Sequence, residues 1–225
     1  MEMPQMWQHR PNKNERCKKN LRIYRNTILE SRQNPRNKRK SFASLKNVRV
    51  NFMNYGNIKT NDISNGRGVR TSLFVSGCTR CCKGCFNPET WDFNYGKPFT
   101  KETEDMIINS LKPFYVEGLT VLGGEPFEKQ NQLALLPFIK RVKNELPQKT
   151  IWFYTGCTYE ELLSSEKYHT QATDELLALT DVLVDGEFLL DKKNISLNFK
   201  GSENQRIIDI KATQKNNKIT EYKLN

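Results

Sequence analysis

An α/β domain built on parallel strands, preceded by a basic arm, is the fold class that this sequence predicts. Three observations carry it: short runs of almost wholly apolar residues, amphipathic stretches between them, and turn residues at the end of each run. Apolar runs without polar alternation are the pattern of strands covered on both faces, as in a parallel sheet or barrel. Their alternation with helices is the pattern of β/α units.

Residues 1–52 carry no periodic element, since Leu21, Ile23, Ile28 and Leu29 stand isolated among charged and amide side chains. They are expected to form a disordered basic extension, with the domain running over 53–225. Strands are expected over 73–75, 119–122, 151–154, 182–184 and 207–210, all short and nearly all apolar. Helices are expected over 101–111, with Thr100 as N-cap and acids in the first turn; over 131–146, closed by Pro147; over 159–163; and over 173–179. Leu135, Leu136, Ile139 and Val142 make one stripe of the second helix, a core face, and Pro137 within it should kink or split the helix. Four loops leave carboxyl ends of strands: the cysteine loop after Val75, Gly123-Gly124-Glu125-Pro126, Thr155-Gly156, and Asp185-Gly186-Glu187. In parallel β/α architectures that edge binds ligands.

The formal charge of +11 invites a nucleic-acid reading until it is located. Residues 1–50 hold 14 Lys and Arg against 3 Asp and Glu, which leaves 22 basic and 22 acidic residues from position 51 onward. The domain is formally neutral, so nucleic acid is not an expected partner; a polybasic stretch poor in apolar residues is solvated. No apolar run approaches the roughly 20 residues of a membrane helix, and a polar stretch follows Met1 where a secretory signal has an apolar core. A soluble, cytoplasmic protein without membrane partners is expected.

Six cysteines are too few for a disulfide scaffold, and Cys78, Cys81, Cys82 and Cys85 fall within eight residues. Such clustering points to metal. Thiolates on one loop can wrap the corners of an iron-sulfur cubane, and three of them leave one iron open to substrate. Zinc is the alternative, but zinc sites pair one Cys-x-x-Cys with a distant second pair. A redox Cys-x-x-Cys occurs twice, as Cys78/Cys81 and Cys82/Cys85, and either pair leaves the other unexplained. Spacing alone leaves open whether Cys81 or Cys82 is the middle ligand.

Residues 64–100, SNGRGVRTSLFVSGCTRCCKGCFNPETWDFNYGKPFT, together with GGEPF at 123–127, IWFYTG at 151–156, DVLVDGEF at 181–188 and GSENQRIIDI at 201–210, resemble the activating proteins of anaerobic (class III) ribonucleotide reductase. These are radical S-adenosylmethionine enzymes, and the resemblance spans residues 53–210. It implies an incomplete β/α barrel of the radical S-adenosylmethionine type. The family's Cys-x3-Cys-x2-Cys pattern selects Cys78, Cys82 and Cys85 as ligands of a 4Fe-4S cluster and leaves Cys81 as an extra thiol, a departure from the pattern. It further implies S-adenosylmethionine on the open iron, its reductive cleavage to methionine and a 5′-deoxyadenosyl radical, and a glycyl radical left on the large subunit of the reductase, with flavodoxin or ferredoxin as electron donor.

The same resemblance assigns cosubstrate contacts to Gly84, Cys85, Phe86, Gly123, Gly124 and Glu125. The two glycines permit close backbone approach, and plain core packing is the competing reading of Phe86. Asp185 and Glu187 are candidates for a cation, the cosubstrate ribose or the partner protein, against simple solvation or helix capping. Trp91 and Phe93 are expected to shield the cluster loop. Cys17 and Cys157 are expected to be passive thiols, and neither His9 nor His169 suggests a catalytic or metal site. Rival readings are a pyruvate formate-lyase activase, a deazapurine-forming enzyme and, from another class, a zinc-stabilised nucleic-acid-binding module. Met53-Asn54-Tyr55 reads like a family amino terminus, so residues 1–52 are expected to be dispensable or an artefact of start-site assignment.

Overall fold

The computed structural model describes residues 53–224. The basic arm, with Cys17, His9 and its expected disorder, lies outside the described residues. Along the chain run β1 (Asn54–Asp62), β2 (Val69–Val75), β3 (Lys97–Pro98), α1 (Lys101–Leu111), β4 (Val116–Gly123), α2 (Lys129–Glu145), β5 (Thr150–Tyr154), α3 (Tyr159–Ser164), α4 (Gln171–Leu179), β6 (Val182–Asp185), β7 (Arg206–Asp209) and α5 (Ile210–Asn216). The seven strands form one mixed sheet in the order β3-β1-β2-β4-β5-β6-β7. Its centre, β2-β4-β5-β6, is parallel. The flanking strands β1, β3 and β7 pair antiparallel.

Two expectations are corrected. The strand expected over 207–210 is antiparallel to β6, and Ile210 opens α5. A parallel return needs a crossover, usually a helix; residues 186–205 supply only the 3-10 turn Leu190–Lys192, so the chain re-enters from the edge at which it left. The helix expected to kink or split at Pro137 is not split there and runs from Lys129 to Glu145.

β1 and the first half of β2 escape a search for apolar runs because their side chains are polar. Arg70 is buried in β2, where its guanidinium donates to Thr120 Oγ1 (2.7 Å), Leu119 O (2.8 Å) and Thr150 Oγ1 (2.9 Å) and lies 5.2 Å from the Trp152 ring centroid. A buried charge is tolerable when its donors are met in this way.

Strand alternation sorts the two faces. Leu73, Val75, Val121, Ile151 and Phe153 join a core with Ile107 and Leu111 of α1, Leu135, Ile139 and Val142 of α2, and Leu176 of α4. On the opposite face Trp152, Val182, Val184 and Ile207 form a smaller cluster with Phe199 and Tyr222. Helix starts follow their caps: Thr100 accepts from Thr103 N, while Thr158 and Thr170 each complete a capping box. Among the described residues no helix is long and apolar enough to cross a membrane.

Candidate functional site

Because β2, β4, β5 and β6 are parallel, their four following loops share one edge of the sheet, and backbone hydrogen bonds join them. Gly124 N donates to Val75 O (2.8 Å), Glu125 N to Gly77 O (2.9 Å), Thr155 N to Val184 O (2.9 Å) and Gly186 N to Cys157 O (2.9 Å). Asn131 of α2 ties the first two together by donating to Ser76 O (3.0 Å) and Glu125 O (2.9 Å). Gly123 sits at φ 108°, and a β-carbon there would stand 2.8 Å from the backbone of Val75. Only glycine allows the β4 loop to lie this close to the cysteine loop.

A cavity of about 560 Å³ opens at this edge, bordered by Cys78, Cys82, Cys85, Gly123, Gly124 and Thr155. Its size is that of a small-molecule or cofactor site. The three cysteines carry free thiols. Cys81 adopts a left-handed backbone (φ 54°), which turns the chain between Cys78 and Cys82. The loop is stapled to the segment after β4 by Glu128, whose Oε1 accepts from Thr79 N (2.8 Å) and Thr79 Oγ1 (2.5 Å).

The thiols fit an iron-sulfur cluster by the chemistry of their surroundings. Asn87 N donates to Cys85 Sγ (3.4 Å), and the Arg80 backbone amide works to lower the Cys78 thiol against its burial. Such bonds favour a thiolate and tune clusters. Burial pushes the Cys78 thiol well up, with Glu125 adding to it, and burial followed by Glu187 pushes Cys82 up to about 12. A bound metal supplies the positive charge that burial withholds and deprotonates a thiol outright. Among the described residues no three His, Cys, Asp or Glu side chains converge as for a single metal ion. A cubane asks instead for thiolates spread around its corners.

The remaining sequence-derived candidates divide. Phe86 borders the cavity and is 59% exposed, with its ring 5.0 Å from that of Phe188, so plain core packing is not its role. Gly84 is not in the wall; a β-carbon there would meet Leu190. Glu125 borders the cavity, but its carboxylate is spent inside the protein: Oε1 accepts from Phe127 N (3.0 Å) and Thr155 Oγ1 (2.8 Å), and Oε2 from Gly156 N (2.8 Å). Asp185 is fully buried and pairs with Arg206 through both oxygens, while Tyr159 N donates to it (2.7 Å). Three donors therefore hold the Asp185 carboxylate, one on Oδ1 and two on Oδ2. Glu187 is half-exposed and faces Arg80 Nη1 at 3.9 Å. Trp91 is buried in the cavity wall, and its carbonyl accepts from Cys78 N (3.2 Å); Phe93 lies over Gly77. His169 binds Asp174 on the surface and Cys157 is buried.

Arg80 and Glu128 carry no functional expectation from the sequence, and Thr155 carries only that of a strand-end loop. Position inside the cysteine loop was the one available signal for Arg80. Nothing near Glu128 or Thr155 announces their partners, which lie 49 and 30 residues away.

Residues 64–208 match the family model described as a 4Fe-4S single cluster domain. Curated relatives named anaerobic ribonucleoside-triphosphate reductase-activating protein are similar along almost their whole length. The relative from Pasteurella multocida (strain Pm70) is 44% identical over 157 residues, covering 69% of this chain and 96% of the relative. That from Escherichia coli (strain K12) is 42% identical over 155 residues, 68% of this chain and 96% of the relative. That from Enterobacteria phage T4 is 36% identical over 157 residues, 69% of this chain and 93% of the relative.

Proposed function

This chain belongs to the family of anaerobic ribonucleoside-triphosphate reductase-activating proteins, and on that premise we propose that it is a radical S-adenosylmethionine activase that places a glycyl radical on the large subunit of the anaerobic reductase. One observation carries the reading: three free thiols on one loop line the same cavity as the Gly123-Gly124 backbone. Residues 53–225 act as the radical S-adenosylmethionine domain, and the mixed sheet with helices against one face is read as the family's partial barrel.

Cys78, Cys82 and Cys85 hold the cluster, since these three free thiols border the cavity. When bound, a 4Fe-4S cluster with one open iron and S-adenosylmethionine supplies one-electron cleavage of the sulfonium bond and the 5′-deoxyadenosyl radical that takes a glycine hydrogen. The chain's own residues bind, orient and exclude water. Gly123 and Gly124 present backbone to the cosubstrate, with Phe86 and Cys85 on the opposing side. Glu125 serves that loop by fixing it to Thr155 and Gly156, and Gly84 serves through its left-handed turn (φ 77°) ahead of Cys85. Trp91 seals the base of the cysteine loop. The electron comes from a small donor such as flavodoxin or ferredoxin, in a reducing cytoplasm where the thiols stay free to ligate.

Anaerobic reconstitution followed by single Cys→Ala exchange tests the assignment. A brown protein with about four irons per chain that releases 5′-deoxyadenosine from S-adenosylmethionine under reduction is the expected result. Cys78→Ala, Cys82→Ala and Cys85→Ala should each lose that product. A colourless protein retaining zinc, or cleavage that survives Cys82→Ala and fails in Cys81→Ala, would overturn it.

A further inference from the structure

We propose that Arg80 is the positioning residue of the cysteine loop, a guanidinium gripped by carboxylates of neighbouring segments that fixes where Cys78 and Cys82 stand and lends the site positive charge. The inference rests on reading this loop as a cluster site. Arg80 lies between two of the proposed ligands, and its side chain is only 12% exposed. Its Nη2 donates to Glu161 Oε2 at 2.8 Å, Nη1 faces Glu187 Oε2 at 3.9 Å, and Nε faces Glu125 Oε2 at 3.8 Å. The guanidinium carbon lies 5.1 Å from the centroid of the Tyr168 ring.

These partners come from different places: the loop after β4, the first turn of α3, the segment between α3 and α4, and the loop after β6. One side chain therefore references the cysteine loop to most of the sheet edge. Gly156 is shaped for it, because a β-carbon there would stand 2.5 Å from Arg80 Cδ. The link to the ligands is direct, since Arg80 stands two residues after Cys78 and two before Cys82. The Nε is buried with no hydrogen-bond acceptor among the described residues, so one donor remains unspent beside the cavity.

A planar fork meets several carboxylates at once, which an ammonium does not. A cation beside a cluster also favours its more negative, reduced form. Removing a unit charge from a partly buried site of this kind shifts an equilibrium by about tenfold, which for a one-electron couple is about 59 mV.

Two variants of the full chain, Arg80→Met and Arg80→Lys, separate position from charge. The midpoint potential of the reconstituted cluster is read by paramagnetic resonance, and hydrogen exchange of the loop amides 78–85 is read on the cluster-free protein. Arg80→Met is expected to shift the potential negative by about tenfold in the reduction equilibrium and to speed loop exchange while the amides of β2 and β4 keep their protection. Arg80→Lys should retain the potential within about threefold yet show the faster exchange, because it lacks the fork. An unchanged potential in Arg80→Met, or unchanged loop exchange in it, overturns the proposal. Where Arg80→Met takes up no cluster, the exchange measurement decides alone. A wild-type chain that holds no iron would remove the proposed function, and the exchange comparison would still test the brace.

Discussion

Gly123 and Glu125 show how single residues set the spacing of the site. At φ 108°, with Val75 backbone 2.8 Å from any added β-carbon, Gly123→Ala is expected to lower stability by about 1–3 kcal/mol. The denaturant midpoint should fall at unchanged slope; an unaltered midpoint would contradict the close approach. Burial pushes the Glu125 carboxyl above its ordinary value, in opposition to the donors from Phe127, Thr155 and Gly156. A raised folded-state value means that Glu125's contribution is complete below pH 4.5 and declines as pH rises through the raised value. Glu125→Gln should therefore remove a fall in stability on the alkaline side of pH 4.5, read by chemical denaturation across pH, and equal slopes in both proteins would refute it. That a 4Fe-4S domain is present was legible at this scale, because metal chemistry demands thiols at close spacing. The resemblance places Glu125 beside the cosubstrate, and the donors that its carboxylate meets inside the protein, Phe127 N, Thr155 Oγ1 and Gly156 N, are visible only in the fold. Arg80 to Glu161 spans 81 residues and Asp185 to Arg206 spans 21, pairings that only the fold creates.

Among the elements, the central strands were legible because burial on both faces writes an apolar run. β1 was not, since it alternates polar residues along the sheet margin, and β2 was found only in its apolar half because Arg70, Thr71 and Ser72 are buried polar residues. The direction of β7 is not legible because a short run such as Ile207-Ile208 reads the same in parallel and antiparallel pairing; the link before it decides. Elements behind the site are joined at Asp181, whose carboxylate accepts from Lys143 of α2 (2.7 Å) and Ile151 N of β5 (2.7 Å) and pairs with Lys211 of α5. Burial raises the Asp181 carboxyl, but Lys143, Lys211 and the Ile151 amide outweigh it and hold the group below its ordinary 3.8. A depressed value stabilises the fold above pH 3.8 and ceases to do so as pH falls through it. Asp181→Asn is expected to cost about 1–3 kcal/mol at neutral pH, with the gap from wild type closing in acid. A gap that persists unchanged to pH 2 would contradict this reading of the junction.

For the whole molecule, the excess positive charge lies in residues 1–50. Met53 is 1% exposed, and its carbonyl accepts from Phe99 N at 2.7 Å. A chain beginning at Met53 is expected to keep the melting temperature and iron content of the full chain, and loss of iron uptake would show that the arm takes part in the site. The meeting of four loops at one edge was legible at this scale, since each followed an apolar run and parallel order brings such loops together. The internal bracing that positions them was not. The measurement that bears most directly on the site is paramagnetic resonance of the reduced, reconstituted protein incubated anaerobically with S-adenosylmethionine and the large subunit of the anaerobic reductase. A glycyl-radical doublet that disappears with Cys78→Ala, Cys82→Ala or Cys85→Ala is the expected result. Methionine formed without that doublet, or a doublet that survives loss of any of the three thiols, would contradict it.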